Sequence, residues 1–192
     1  MREIARMIVV LSLISAVSGL LLAAVKTATR ERIEEQELFY VKGPALEAVL
    51  PAHDNDPIKD RKRVSLPGGV ELLVFPARTG GALTAVAFEA SAQGYGGPYG
   101  LMVGFAANAE QLTGVAVTTH KETPGVGTRT MQQAFTRQFR DHPFSGLALK
   151  SAGGTIDAVS GATVSSTAAA AAAGQALALF TSGRPAILGA FQ

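Results

Sequence analysis

The chain has 192 residues, 47% of them hydrophobic and 17% charged, with a formal net charge of +2. That balance excludes a disordered polar tail and a coiled coil, and leaves room for one ordinary domain plus an appendage. The absence of cysteine removes disulfides, thiolate zinc sites and cysteine-ligated iron–sulfur clusters from the chain itself. Basic residues are scattered apart from Lys59 to Arg63, "KDRKR", and no interleaved aromatics accompany them, which argues against nucleic acid. His53, His120 and His142 lie far apart without ligand spacing, so no metal site is expected.

The first element is "MIVVLSLISAVSGLLLAAV", residues 7–25, uncharged and long enough to span a bilayer once as a helix. A secretory signal has a shorter apolar core of roughly 7–15 residues, and cutting after "AVS" at Ala16 to Ser18 would leave "GLLLAAV" exposed. A retained anchor is therefore expected. Arg2 and Arg6 before the span are matched by Lys26, Arg30 and Arg32 after it, so the basic residues do not choose an orientation. Residues 26–43 are expected to continue the helix as a stalk, with pairs such as Arg30–Glu34 on its solvated side.

From Pro44 the chain reads as one globular domain, residues 44–192. "PALEAVLP" suggests a short helix closed by Pro51, and "AHDNDPIKDRKR" a polar loop. Four apolar segments bounded by glycine follow: 70–76, 83–90, 101–106 and 112–119. Their β-branched content and short gaps predict antiparallel strands. Met131, Phe135 and Phe139, four apart, predict an amphipathic helix over "TMQQAFTRQF". Six consecutive alanines make a helix from about Val164 to Phe180 the firmest local expectation. Strands followed by helices place the domain in the α+β class, a mainly antiparallel sheet with flanking helices.

Three segments could carry chemistry. At "IDAVSGATVSSTAAAAAAG", residues 156–174, Ser160 or Thr163 could cap the final helix. The same helix mouth could instead bind an anion, with a phosphate held by Gly161, Ser165 and Ser166. In "GYGGPYGLMVGF", residues 94–105, four glycines surround Tyr95, Pro98 and Tyr99; this is either a glycine-rich hairpin or a loop close to a ligand. No helix follows it, which rejects a dinucleotide fingerprint. "THKETPGVGTR", residues 119–129, is either a solvated turn or a binding loop at a strand end. No serine or carboxylate motif supplies His120 with a hydrolase partner.

Taken in order, these three segments resemble the G subunit of the Rnf electron-transport complex, an ion-translocating ferredoxin–NAD oxidoreductase. The C subunit of the sodium-pumping NADH–quinone reductase carries the same kind of FMN-binding domain and is the alternative. The rival of another class is a membrane-anchored binding or assembly module with no redox role. The resemblance covers the anchor and nearly the whole domain. It implies FMN joined by a phosphoester to Thr163, installed by a flavin transferase that uses FAD, with Asp157, Ser160, Gly161 and Ala162 matching the recognition sequence. It also implies Glu122 and Thr123 near the isoalloxazine ring, and Tyr95, Gly96 and Gly97 in a glycine loop facing it. The protein would relay electrons and need no catalytic acid, base or nucleophile; neighbouring membrane and iron–sulfur subunits would be its partners. The implied location is a bacterial inner membrane, with residues 1–6 cytoplasmic, one span through membrane lipid, and the domain on the periplasmic side.

Overall fold

The computed structural model describes residues 2–192, which divide into two compact units, one ending at Phe39 and the other spanning Tyr40–Gln192. In the first, a single helix α1 (Arg2–Glu37) has no buried residue and is long and apolar enough to cross a membrane. Its last turns are charged, and Arg30 Nε meets Glu34 Oε1 at 2.9 Å, the i,i+4 pair that the spacing predicts. Both partners are solvent-exposed, so the pair contributes little to stability. A π-helical turn at Leu38–Lys42 follows, and then α2 (Gly43–Val49), with Pro44 in its first turn where a missing N–H costs nothing.

The second unit is built on a five-stranded antiparallel meander in the order β1 (Lys62–Ser65), β2 (Glu71–Thr79), β3 (Ala82–Gln93), β4 (Pro98–Ala106), β5 (Leu112–Thr119). Strand β1 begins in the last two residues, Lys62 and Arg63, of the stretch expected to be a polar loop. Only Val64 of its four residues is buried, so a period-two signal has almost nothing to register. It pairs with β2 from Lys62↔Val74 to Ser65↔Glu71, at the sheet edge, where exposed Lys62 and Arg63 discourage further pairing.

The sheet is covered on both faces, which explains why β4 reads as a continuous apolar run rather than an alternation. Val86, Phe88, Leu101, Val103 and Phe105 belong to the core cluster that also holds the face of the last helix, α4 (Thr163–Gly189). On the other face lies α2, packed on β4 and β5. There the cross-strand neighbours Gly104 and Gly114 let its backbone approach; a Cβ at Gly104 would stand 2.8 Å from Val49 O. Thr113 Oγ1 donates to the same carbonyl at 2.6 Å.

The expected amphipathic helix at 130–139 is instead a 3₁₀ turn (Gly127–Met131), a four-residue helix α3 (Gln133–Thr136) and a second 3₁₀ turn (Arg137–Phe139). Phe135 and Phe139 are core residues as expected, but Met131 is 41% exposed, because the break at Gln132 takes it off their face. Helix α4 is also longer than predicted, passing through Pro185 to Gly189. Only one ladder bond is lost at a proline, and tertiary packing on both sides of it holds the helix: Gly183 lies against Leu66, and Ile187 is fully buried. Just beyond its end, Lys62 Nζ donates to Ala190 O at 2.6 Å and Arg78 donates to Phe191 O, cations placed where the helix dipole is negative.

Alanines 168, 169, 172, 173 and 176 are buried where α4 meets β3 and β4, and their small side chains allow a close approach. Further along, Phe180 stacks on Phe105 with ring centroids 4.4 Å apart, and Phe105 stacks on Phe88 at 5.2 Å. Such stacks contribute beyond area burial alone. Phe180→Ala is expected to destabilise the chain by about 3–5 kcal/mol, measured as a lowered urea midpoint with unchanged slope.

Candidate functional site

Three stretches distant in sequence meet at the N-terminal end of α4. The turn joining β3 to β4 is Gly94–Gly97, closed by Gly94 N–H donating to Gly97 O at 2.8 Å. The glycine segment is thus a hairpin turn running into β4. Gly96 sits so close to the next segment that a Cβ there would overlap Lys121 O. That next segment leaves β5 and turns at Pro124–Gly125, with Thr123 O accepting from Val126 N–H at 3.2 Å and Gly127 N–H at 3.0 Å.

The helix mouth is organised without a capping side chain. Ala162, with φ −127°, is the N-cap residue, and Thr163 is the first helical residue; neither Ser160 nor Thr163 caps. Ser166 supplies the missing bracing from inside: its hydroxyl donates to Ala162 O at 2.9 Å and accepts from Val159 N–H at 3.0 Å. Gly161, at φ +80°, makes the turn that a side chain would strain. Arg129 Nη1 donates to Ser160 O at 3.0 Å and ties this loop to the turn after β5. Asp157, upstream and exposed, forms reciprocal bonds with Gln138 at 2.8 and 3.1 Å and an ion pair with Lys150 at 2.8 Å.

Between these stretches lies a cavity of about 430 Å³ lined by Tyr95, Glu122, Thr123, Val126, Gly127 and the run from Gly161 to Ser165. Tyr95, Val126 and Val164 are 73%, 46% and 51% exposed, an apolar rim open to solvent. Of the residues proposed from sequence, Tyr95, Glu122, Thr123, Gly161, Ala162, Thr163 and Ser165 come together here. Ser160, Ser166, Gly96 and Gly97 stand outside the lining and shape its walls. Val126, Gly127 and Val164 belong to the site without having been singled out. The two valines are ordinary apolar residues in a sequence, and only their exposure marks them.

The hydroxyls at the helix mouth are distinguishable by what they already do. Ser165 donates to Glu122 Oε2, Ser166 to Ala162 O, and Thr167 to Thr163 O. Among the described residues no hydrogen bond engages Thr163 Oγ1, which is exposed and lines the cavity. It stands where the first N–H groups of α4 lack intrahelical acceptors and the dipole is positive, with no acidic residue in that turn.

Beneath the cavity, Tyr99 is fully buried and its phenol bonds Thr130 Oγ1 at 2.9 Å, while Thr130 donates to Gly127 O at 2.7 Å. Thr130 therefore accepts, and the phenol donates. Burial above all pushes the Tyr99 phenol up to about 12; the Glu122 charge adds to this and the Thr130 bond opposes it. A phenol raised in the fold stabilises it fully below the unfolded pKa of about 10, and that stabilisation is lost as pH rises through about 12.

Fold and site together define a small flavin-nucleotide-binding domain. Residues 94–178, which include both walls of the cavity, match the FMN-binding domain family. Over 187 residues the chain is 34% identical to the G subunit of the ion-translocating oxidoreductase complex of Cereibacter sphaeroides, covering 93% of this chain and 84% of that protein. The G subunit of Pseudomonas aeruginosa is 34% identical, with 97% and 93% covered. That of Methanosarcina acetivorans is 32% identical, with 87% and 89% covered. The chain belongs to the family of G subunits of ion-translocating oxidoreductase complexes. Its fold is shared with the crystal structure of the C subunit of Na(+)-translocating NADH-quinone reductase from Parabacteroides distasonis, at a TM-score of 0.52 and 18% identity over 69% of this chain and 70% of that one.

The ionisation of Tyr99 beneath the cavity is open to direct measurement. In an ultraviolet titration of the folded chain, Tyr99→Phe is expected to remove the tyrosinate step near pH 12, at the top of the range.

Proposed function

We propose that this chain is a membrane-anchored flavoprotein subunit of an ion-translocating ferredoxin–NAD oxidoreductase, relaying electrons through an FMN bound by phosphoester to Thr163. The observation that carries the reading is the state of Thr163: a cavity-lining hydroxyl without a hydrogen-bond partner among the described residues, at the positive end of a 27-residue helix. Its neighbours Ser165, Ser166 and Thr167 have their hydroxyls committed elsewhere. The match to the FMN-binding domain family and the G-subunit relatives support the cofactor and the electron-transfer role.

The residues present fit such a group. The helix mouth from Gly161 to Ser165 would hold a phosphate with backbone N–H groups. The exposed faces of Tyr95, Val126 and Val164 offer apolar area to a planar ring, and the turn at Thr123 closes one side. Ser160, Gly96, Gly97 and Ser166 support these surfaces from behind. A bound FMN supplies the capacity to accept and release electrons; the chain contributes orientation, water exclusion and the local field. The absence of cysteine fits a relay whose iron–sulfur clusters belong to neighbouring subunits.

Residues 7–25 are the membrane span in this reading, residues 26–43 its stalk, and residues 44–192 the domain outside the cytoplasm. Exposed Asp157, held by Gln138 and Lys150, is where a flavin transferase would recognise the chain.

The chain co-produced with its flavin transferase is expected to carry ultraviolet-fluorescent flavin that survives denaturing electrophoresis. Thr163→Ala and the closer isostere Thr163→Val are expected to reduce that signal to background. Retained fluorescence in either variant would exclude Thr163 as the attachment point. Because the chain has no cysteine, Thr181→Cys, on an exposed turn of α4, creates a single labelling site. A membrane-impermeant maleimide is expected to label it from the periplasmic side of intact spheroplasts; labelling only after lysis would reverse the orientation.

A further inference from the structure

Glu122 is unusual among the lining residues. It is 5% exposed, and the donors that meet its carboxylate are neutral: Ser165 Oγ–H on Oε2, and Gly96 N–H on Oε1 at 3.3 Å. A buried carboxylate is costly unless hydrogen-bonded, so a fold that keeps one on neutral partners must place its donors carefully. Here the donors come from opposite walls, one on the hairpin turn and one on the first turn of α4. Two glycines make room for it. A Cβ at Gly94 would collide with Glu122 Oε1, and one at Gly127 would lie 2.7 Å from Oε2 and 2.9 Å from Ser165 Oγ. The backbone of Glu122 is fixed as well, its N–H donating to His120 Nδ1 at 3.3 Å.

We propose that Glu122 is a positioning residue: its carboxylate clamps the Gly94–Gly97 turn to the mouth of α4, sets the separation of the cavity walls, and places one negative charge beside the cavity that lowers the reduction potential of the flavin. The clamp stands on the chain's own geometry; the effect on potential rests on the reading that FMN occupies this cavity. Direct contact with the ring is not needed for either. A fixed negative charge opposes the arrival of electrons nearby, and in a partly desolvated site its field is weakly screened. The same field reaches the Tyr99 phenol below.

Two measurements on the full-length chain in detergent separate the parts. In flavin-free protein, Glu122→Ala is expected to speed amide hydrogen exchange at Gly96 at least about tenfold, the scale of losing one hydrogen bond to a charged acceptor, while amides in the middle of α4 keep their rates. Unchanged exchange at Gly96 overturns the clamp. If Glu122→Ala does not fold, Glu122→Asp, whose side chain is one methylene shorter and cannot bridge both walls, is read against the same criterion at Gly96. In flavin-loaded protein, Glu122→Gln keeps the shape and removes the charge. It is expected to retain covalent fluorescence and show a more positive midpoint potential in a spectroelectrochemical titration; an unchanged or more negative potential overturns the role of the charge. A wild-type chain without covalent flavin would instead overturn the Thr163 assignment, and faster exchange at Gly96 in Glu122→Ala would still support the clamp.

Discussion

The close seating of α4 on β3 and β4 is the contact on which the rest of the domain depends. A run of alanines removes side-chain bulk from the buried face of the helix, so its axis lies near the sheet along several turns. The Phe88–Phe105–Phe180 stack then fixes its position further along. With the helix held in this way, its first turn can only open beside the hairpin turn at Gly94–Gly97 and the turn after β5. The cavity is the space left between them.

That arrangement gives the helix N-terminus two tasks that elsewhere compete. A helix beginning at the surface usually satisfies its first N–H groups with a capping side chain. Here the bracing comes from Ser166, one turn inside, whose hydroxyl holds Val159 and Ala162 from below. The outward side of the first turn stays open as a result, and among the described residues no hydrogen bond engages Thr163 Oγ1. A buried serine braces the helix mouth, and the Thr163 hydroxyl faces the cavity.

The cavity lining is chemically mixed. It combines exposed apolar surfaces from Tyr95, Val126 and Val164 with a buried carboxylate held by neutral donors. Tyr99 beneath stays protonated over the whole physiological range, its phenol pushed up to about 12 chiefly by burial. The polar groups under the site therefore present a fixed pattern of charge and dipoles, the condition under which a protein can set a cofactor's properties.

Much of this was legible in the amino-acid order, because the signals were local. An uncharged run as long as a bilayer is thick, six alanines after a hydroxyl-rich turn, and glycine-bounded β-branched segments each reflect backbone physics within a few residues. The segments that carry the family resemblance likewise marked Thr163, Glu122 and Tyr95. What depended on distant partners was not legible. Strand β1 exists because β2 offers it an edge, not because its own residues alternate. The helix through Pro185 is held by packing that overrides a local break, and the expected helix at 130–139 breaks at the extended Gln132, which leaves Met131 off the core face. Which of the hydroxyls at Ser160, Thr163, Ser165 and Ser166 make internal hydrogen bonds was also tertiary. All four are small hydroxyl residues near one helix mouth; Glu122 occupies the Ser165 hydroxyl, Val159 and Ala162 that of Ser166, and Ser160 stands outside the lining that Thr163 joins.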